Sequence, residues 1–154
     1  MISLMNQNNF DINYLPKDYS SKSSEIFEMF EIFIKSCNII KNSVEVSFVS
    51  REEIKELSKK FRNKDIETNV LSFPKSVISR ISNTCEGEII ICNDFVLKEA
   101  REQDKDPFHH LLHLFLHSLL HLIGFTHDNK NDAILMERKE IELLSKFGIA
   151  DPYK

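Results

Sequence analysis

Hydrophobic positions in the first third of the chain follow two different periods. Residues 10–15 place an apolar side chain at every second position, which predicts a short strand. From Glu25 onward, apolar residues recur three and four positions apart, which predicts a helix with one buried face. Its apolar positions are Ile26, Phe27, Phe30, Phe33 and Ile34. Residues 44–49 alternate again and are rich in β-branched and aromatic side chains, so they predict a second strand.

A second helix is expected directly after this strand. Ser50 and Glu53 have the spacing of a capping box, in which each side chain accepts a hydrogen bond from the backbone N–H of the other residue. The helix that they open is predicted to bury Ile54, Leu57 and Phe61. Its opposite face carries Lys55, Lys59 and Arg62.

Two further strands are predicted in the middle of the chain. Residues 70–73 form a short apolar strand that Pro74 ends. Residues 75–86 are polar and predict a loop. The continuous apolar run at residues 88–92 is typical of a central strand that is covered on both faces.

Three helices complete the pattern. Asn93 or Asp94 is expected to cap a helix that ends near Gln103. An Asp-Pro pair opens the next helix, residues 106–123, which is apolar nearly all round and should be buried. A last helix is predicted over residues 131–147. The order β-α-β-α-β-β-α-α-α predicts an α+β fold in one domain of 154 residues, with a small mixed sheet of about four strands packed by about five helices.

Composition narrows the classes of function. A net charge of −4 and a pI near 5.9 argue against indiscriminate nucleic-acid binding, although they allow a local basic cleft. The three cysteines form no C-x-x-C pair, so neither a disulfide framework nor a cysteine zinc site is expected. The first residues lack the features of a signal peptide, and the most apolar stretch is shorter than the ~20 residues of a membrane helix. We therefore expect a cytoplasmic protein that does not associate with membranes.

The candidate metal ligands lie in residues 117–127, which have the pattern H-x3-H-x5-H. His117 and His121 lie one helical turn apart, so their imidazoles share a face of the buried helix. Gly124 favours a turn after that helix, which would return His127 to the pair. Three neutral nitrogens around one point, with a fourth position left for water, form a catalytic zinc site. The pattern predicts one Zn²⁺ ion on these three histidines, although other transition metals also suit imidazole.

Ordinary core packing is the alternative for these histidines. Burying imidazoles without partners costs about 1–3 kcal/mol each, and a shared metal removes that cost. His113 is a rival ligand, but three helical histidines over two turns span about 12 Å of axis, too far for one ion. We assign His113 to packing or to support of the ligands. His109 and His110, in the first turn, are predicted to lie at the surface.

Ser118 argues against a peptidase. The metallopeptidase signature H-E-x-x-H has a glutamate general base directly after its first histidine, and this chain has Ser118 there. Peptide hydrolysis by that route would lack its base.

Four cations fall within six residues, namely Lys59, Lys60, Arg62 and Lys64. Alone, such a run is more often the solvated end of a helix, where cations also suit the helix dipole. The residues that follow change this interpretation.

Three motifs, in order, resemble the YbeY family of metal-dependent endoribonucleases, the ribosomal RNA maturation factors. They are RNKDIETNVLSFP at residues 62–74, GEIIIC at residues 87–92 and the histidine stretch. The resemblance runs from about residue 44 to the terminal Asp151-Pro152-Tyr153. It implies an α+β fold, one zinc-type metal on three histidines, an arginine in the cleft and a role in processing and quality control of small-subunit ribosomal RNA. Carried over by position, His117, His121 and His127 match the metal ligands and Arg62 matches the functional arginine.

Two positions depart from the family pattern. The family usually has glycine where this chain has Ser118, and aspartate where it has Thr126. Neither is a ligand, but a carboxylate beside a metal often orients the ligands through hydrogen bonds. Its loss would weaken metal affinity or activity unless Asp128 takes its place.

The hypothesis is metal-assisted cleavage of single-stranded ribosomal RNA, with water or the 2′-hydroxyl as nucleophile. Arg62 would bind the scissile phosphate and stabilise the developing charge. The flanking phosphates would contact Lys59, Lys60 and Lys64. Possible partners besides RNA are the ribosome or a ribosomal protein. The alternatives are a non-catalytic ribosome-associated factor with a closed, four-ligand structural metal, and a hydrolase of peptides or small phosphoesters.

Overall fold

A four-stranded mixed sheet packed by five helices forms the described part of the protein. The structure is a computed structural model that describes residues 8–62, 68–76 and 80–154. The strands are Phe10–Asn13 (β1), Lys41–Phe48 (β2), Val70–Pro74 (β3) and Thr84–Ile91 (β4). The helices are Ser23–Ser36 (α1), Arg51–Arg62 (α2), Asn93–Glu102 (α3), Pro107–Leu122 (α4) and Lys130–Lys146 (α5). The predicted fold class and the predicted order of elements are confirmed.

The sheet has the strand order β1-β2-β4-β3. β1 pairs with β2 and β2 pairs with β4 in parallel, with Val46 opposite Ile89. β3 pairs with β4 in the antiparallel direction, with Leu71 opposite Ile90. β4 is therefore an interior strand, as its continuous apolar run predicts, and β3 is an edge strand.

The main core lies between one face of the sheet and helices α1, α4 and α5. Phenylalanine rings join these layers: the ring of Phe10 on β1 stacks on Phe30 of α1, with centroids 4.4 Å apart, and on Phe115 of α4 at 5.5 Å. Ten of the 16 residues of α4 are buried, so the prediction of a buried central helix is confirmed. Among the described residues no helix is both long enough and apolar enough to cross a bilayer.

A smaller apolar cluster fills the opposite face of the sheet beneath α2. Ile54, Leu71, Cys92 and Phe95 are buried in it. The capping box that opens α2 forms as predicted, because the Ser50 hydroxyl accepts from the Glu53 N–H at 3.1 Å and the Glu53 carboxylate accepts from the Ser50 N–H at 3.2 Å.

Several local predictions are wrong. Phe61 is 57% exposed, because α2 ends there and the ring packs edge-on against Phe73 at the rim of the smaller cluster. The predicted loop 75–86 overlaps β4, which begins at Thr84. α3 has Cys92 as its N-cap residue and no side-chain cap, so neither proposed capping residue acts as one.

Gly87 allows three elements to meet. A Cβ at this position would lie 2.4 Å from the carbonyl oxygen of Phe73 and 2.9 Å from a methyl carbon of Leu122. The first contact is with backbone, which cannot move aside without breaking the β3–β4 pairing. Glycine therefore sets how closely the edge strand and the end of α4 approach β4.

We expect Gly87→Ala to lower the free energy of unfolding by about 1–3 kcal/mol, the usual range for overpacking. Denaturant unfolding measures this change. Ser43→Ala, at an exposed position of the adjacent strand, is the matched control and should change little. An unchanged unfolding midpoint for Gly87→Ala would contradict the close approach.

Candidate metal centre

α4 presents two histidines on one face. It begins as predicted at Asp106, whose carboxylate accepts from the His109 N–H at 3.0 Å, and the following proline occupies the first turn. His117 and His121 are partly exposed on this otherwise buried helix, and their Nε2 atoms lie 3.0 Å apart. A rigid, well-packed helix thus fixes the spacing of the pair.

A turn at Gly124 brings the third histidine to this pair. Gly124 has φ of 109°, in the region that favours glycine, and the Phe125 N–H donates to the Leu120 carbonyl at 3.0 Å to close the helix. The ring of His127 then stacks on His117, with centroids 5.5 Å apart, and meets the edge of His121 at 4.9 Å. One nitrogen of each of the three histidines lies within 4.8 Å of the others.

The hydrogen bond at Nδ1 of His117 and of His121 identifies which nitrogen of each ring carries the proton. The Phe125 carbonyl can only accept, so His121 donates to it from Nδ1 at 3.0 Å. His117 likewise donates from Nδ1 to the Glu140 carboxylate at 2.7 Å. With Nδ1 as the donor, a neutral ring at either position has its lone pair at Nε2, and the two Nε2 atoms face each other.

Two facing lone pairs repel unless a cation lies between them. Burial and then the proximity of His117 lower the pKa of His121 to about 4, so His121 does not itself become the cation. His121 is therefore neutral near pH 7, the state in which imidazole binds a metal. A metal ion removes the repulsion directly.

Glu140 of α5 supports this pair from behind and was not predicted from the sequence. Its side chain is 0% exposed, and it accepts from His117, from His113 Nε2 at 3.1 Å and from the Tyr153 hydroxyl at 2.8 Å. Burial alone would raise the pKa of Glu140, but these hydrogen bonds outweigh it and lower the pKa to about 2. The carboxylate is therefore ionised, and His113 supports it as a donor.

The three-histidine group fits a single metal ion. Two ligands of a tetrahedral zinc ion, each ~2.0–2.1 Å from it, lie about 3.3 Å from one another, close to the observed spacing of the pair. Within the described residues no fourth side chain joins the group, and such an arrangement leaves one coordination position open.

The two departures from the family pattern have distinct surroundings. Ser118 is fully buried and its hydroxyl donates to the Leu114 carbonyl at 2.9 Å, so it has no role in the group. The Thr126 hydroxyl donates to the carboxylate of Asp132 at 3.2 Å, which ties the turn to the start of α5. Asp128, the substitute considered from the sequence, is exposed.

A groove of about 610 Å³ runs beside the histidines. One wall is the edge strand and the residues after it, and the other is the turn after α4. The lining residues are Ser72, Pro74, Lys75, Ser76, His121 and Gly124 to Asp128. Lys75 has 70% of its side chain exposed and pairs loosely with Glu86, at 3.5 Å. The groove therefore offers a cation near the histidines that sequence reasoning did not single out.

The structure describes the side chains of only two of the four predicted basic residues. Lys59 and Lys60 are exposed on the last turn of α2, and Lys60 lies over the ring of Phe61. Neither lines the groove. Arg62 is the last residue of α2, and its side chain, like all of Lys64, lies outside the described residues.

His110 is a correction to the sequence analysis. His110 is 4% exposed rather than at the surface, because the first turn of α4 packs against α3. The Glu99 carboxylate of α3 accepts a hydrogen bond from His110 Nε2 at 2.6 Å. Glu99 also accepts from Asn69, which precedes β3. His109 is exposed, as predicted.

Comparisons with known proteins agree with this arrangement. The family model described as "Endoribonuclease YbeY" matches residues 4–148. A protein named Endoribonuclease YbeY from Francisella tularensis subsp. tularensis (strain FSC 198) is 35% identical over 155 residues, covering 97% of this chain and 92% of that protein. The protein of the same name from subsp. novicida (strain U112) is 36% identical over 151 residues.

A solved structure is also similar. The solution structure of a Thermotoga maritima protein matches with a TM-score of 0.61 and 30% identity, covering 94% of this chain and 99% of the other. The sequence comparison and the fold comparison thus each match nearly the whole chain.

Purified protein should contain close to one divalent transition-metal ion per chain, because three converging imidazoles bind such ions strongly. Elemental mass spectrometry of protein prepared without chelators measures this. His117→Ala/His121→Ala should lose the ion. His109→Ala, which removes an exposed histidine of the same helix, should keep it. Equal metal content in all three proteins would place the ion elsewhere.

Proposed function

The chain belongs to the YbeY endoribonuclease family, and we propose that it is a metal-dependent endoribonuclease that cleaves single-stranded RNA during maturation and quality control of small-subunit ribosomal RNA. The observation that carries this proposal is the convergence of three imidazoles beside an open groove. The family name supports RNA as substrate, and the groove supplies a place for a strand to lie.

We infer that His117, His121 and His127 hold one ion, with Zn²⁺ the first candidate. When bound, such an ion polarises a phosphoryl oxygen or lowers the pKa of a water towards ~7. The chain's own contribution is to keep three imidazole ligands in place. Helix α4 fixes two of them, and the turn at Gly124 fixes the third.

The groove suits a single strand with its phosphates extended. Lys75 is near enough to the histidines to meet a phosphate next to the cleaved bond, since it lines the same groove as His121 and His127. The Lys75 side chain is 70% exposed and lies 3.5 Å from the Glu86 carboxylate, which is 16% exposed, so the Lys75 ammonium can turn towards a phosphate from the solvent side. Contacts of this kind position the RNA without reading its sequence.

Arg62 is assigned the transition-state role. Its planar guanidinium would bind two oxygens of the scissile phosphate and stabilise charge that develops there. The flanking phosphates would contact Lys59, Lys60 and Lys64. Placement of α2 supports this assignment, because Phe61 packs on Phe73 of β3, the strand that forms one wall of the groove.

The cellular setting follows from the substrate. We propose a cytoplasmic protein whose partners are ribosomal RNA and the ribosome or one of its proteins.

Removing the arginine should reduce cleavage more than binding. We expect Arg62→Ala to lower kcat by about 10²–10³-fold, as for loss of one donor to a developing oxyanion, and Arg62→Lys to restore only part of it. The measurement is single-turnover cleavage of a ribosomal RNA fragment. Arg101→Ala, an exposed arginine on α3, is the control and should cleave normally.

Wild-type cleavage by Arg62→Ala would refute its assigned role. The same assay identifies the nucleophile from the product ends. A cyclic phosphate indicates the 2′-hydroxyl, and a linear phosphate on every product from the earliest times indicates water. Metal-loaded protein that cleaves no RNA under any condition would favour the non-catalytic factor instead.

RNA binding should weaken steeply with salt if the cations contact phosphates. Each lost contact reduces the slope of log K against log[salt] by about 0.7 for single strands. We therefore expect Lys75→Gln and Lys59→Gln/Lys60→Gln to bind RNA more weakly with a shallower slope. Lys35→Gln, a remote exposed lysine on α1, is the control. Salt-independent binding by the wild type would remove the case for a phosphate-lined path.

A further inference from the structure

Glu140 is a fully buried carboxylate that the proposed chemistry does not use directly. Three donors converge on it: His117 Nδ1 at 2.7 Å and His113 Nε2 at 3.1 Å on one oxygen, and the Tyr153 hydroxyl at 2.8 Å on the other. These donors come from two separate parts of the chain, helix α4 and the C-terminal tail. Both are thereby tied to α5.

The contact with His117 determines where that imidazole points. A histidine ring has one donor and one acceptor nitrogen when neutral, on different sides of the ring. Because Nδ1–H is held on Glu140, the lone pair of Nε2 is directed to the side where His121 Nε2 lies, 3.0 Å away. Without the carboxylate, neither the tautomer nor the rotation of this ring would be fixed.

Packing alone is a weak explanation for a carboxylate in this place. Burying an ion is unfavourable unless hydrogen bonds compensate, and an apolar side chain of similar size often gives equal or greater stability. Here every donor to Glu140 is a polar group of the ligand helix or the tail. The arrangement is suited to orienting groups rather than to filling space.

The C-terminal tail completes the arrangement. The Tyr153 N–H donates to the Asp151 carboxylate at 2.8 Å, which holds the tail in a turn. The Tyr153 ring then meets His113 edge-on, with centroids 5.5 Å apart, and its hydroxyl reaches the second oxygen of Glu140. Tyr153 thus restrains Glu140 on the side opposite to His117.

We propose that Glu140 is a positioning residue that fixes the tautomer and the ring orientation of His117 for metal binding. Tyr153, in the C-terminal tail, restrains the same site through its hydrogen bond to Glu140. This inference rests on the metal site of the proposed function. It assigns to α5 and the last residues of the chain a part in holding the ion, in addition to the three histidines.

Glu140→Gln tests the positioning role because it keeps the shape and removes the charge. We expect metal affinity to fall about 10–100-fold, the usual effect of losing a hydrogen-bonding partner of a ligating histidine. Competition with a chromophoric chelator, using Zn²⁺ alone as probe, measures this on folded protein. Glu28→Gln, an exposed glutamate on α1, is the matched control and should bind as the wild type does.

A second readout separates positioning from folding. Long-range ¹H–¹⁵N spectra report which nitrogen of His117 carries the proton. The metal-free wild type should show the Nδ1–H form, and Glu140→Gln should show a mixture of both forms. A residue that only stabilised the fold would lower the melting temperature without altering the tautomer or the affinity of the folded protein.

Tyr153→Phe keeps the inference testable if Glu140→Gln does not fold. It removes one hydroxyl from a side chain that is 47% exposed, so folding should survive. We expect metal affinity to fall about two- to tenfold, less than for Glu140→Gln, because Tyr153 acts on His117 only through Glu140.

The outcomes distinguish this inference from the proposed function. A wild type that binds no Zn²⁺ would overturn both. If the wild type binds Zn²⁺ and Glu140→Gln binds it equally well, the positioning role alone is overturned. If Glu140→Gln does not fold, equal binding by Tyr153→Phe has the same meaning. Weaker binding with a mixed tautomer would support it.

Discussion

The repulsion between two imidazole lone pairs held 3.0 Å apart is the constraint on which the site depends. Without other contacts, the His117 and His121 rings could rotate to relieve this repulsion. Two acceptors fix the rotation of the rings, the Phe125 carbonyl in the turn after α4 and the Glu140 carboxylate on α5. The neighbouring elements therefore hold both Nε2 atoms where one cation between them would relieve the repulsion.

The packing of the helix that carries His117 and His121 keeps this pair in place. α4 is buried for most of its length, and close-packed interiors resist local adjustment. Gly87 lets β4 approach both the edge strand and the last residue of α4, which places the groove wall and the histidine helix at a fixed separation. A site built on packed helices and strands keeps its geometry better than one built on loops.

Much of this could be predicted from the sequence, and the failures have physical causes. Periodicity gave the strands and helices because each buries one face or both, and the three histidines were close in sequence and separated by a helix-ending glycine. The contacts of Glu140 and Tyr153 are not predictable in this way because they join positions 13 to 40 residues apart, and no local pattern marks such a pairing. His110 was misplaced because its burial depends on how α3 packs against α4, which periodicity along one helix does not specify.

The distribution of carboxylates bears on the kind of bond that this site can cleave. At the position of the metallopeptidase glutamate, Ser118 is fully buried and its hydroxyl is bound within its own helix, so it supplies no proton acceptor beside the histidine pair. Glu140 is held behind His117 by three donors and is not free to act as a base in the groove. Phosphodiester cleavage depends more on neutralising charge and holding the phosphate in place than on a dedicated carboxylate at that position. Among the described residues, the groove combines a three-histidine group that could hold a cation with the exposed Lys75, and these features suit a phosphate-bearing strand better than a peptide.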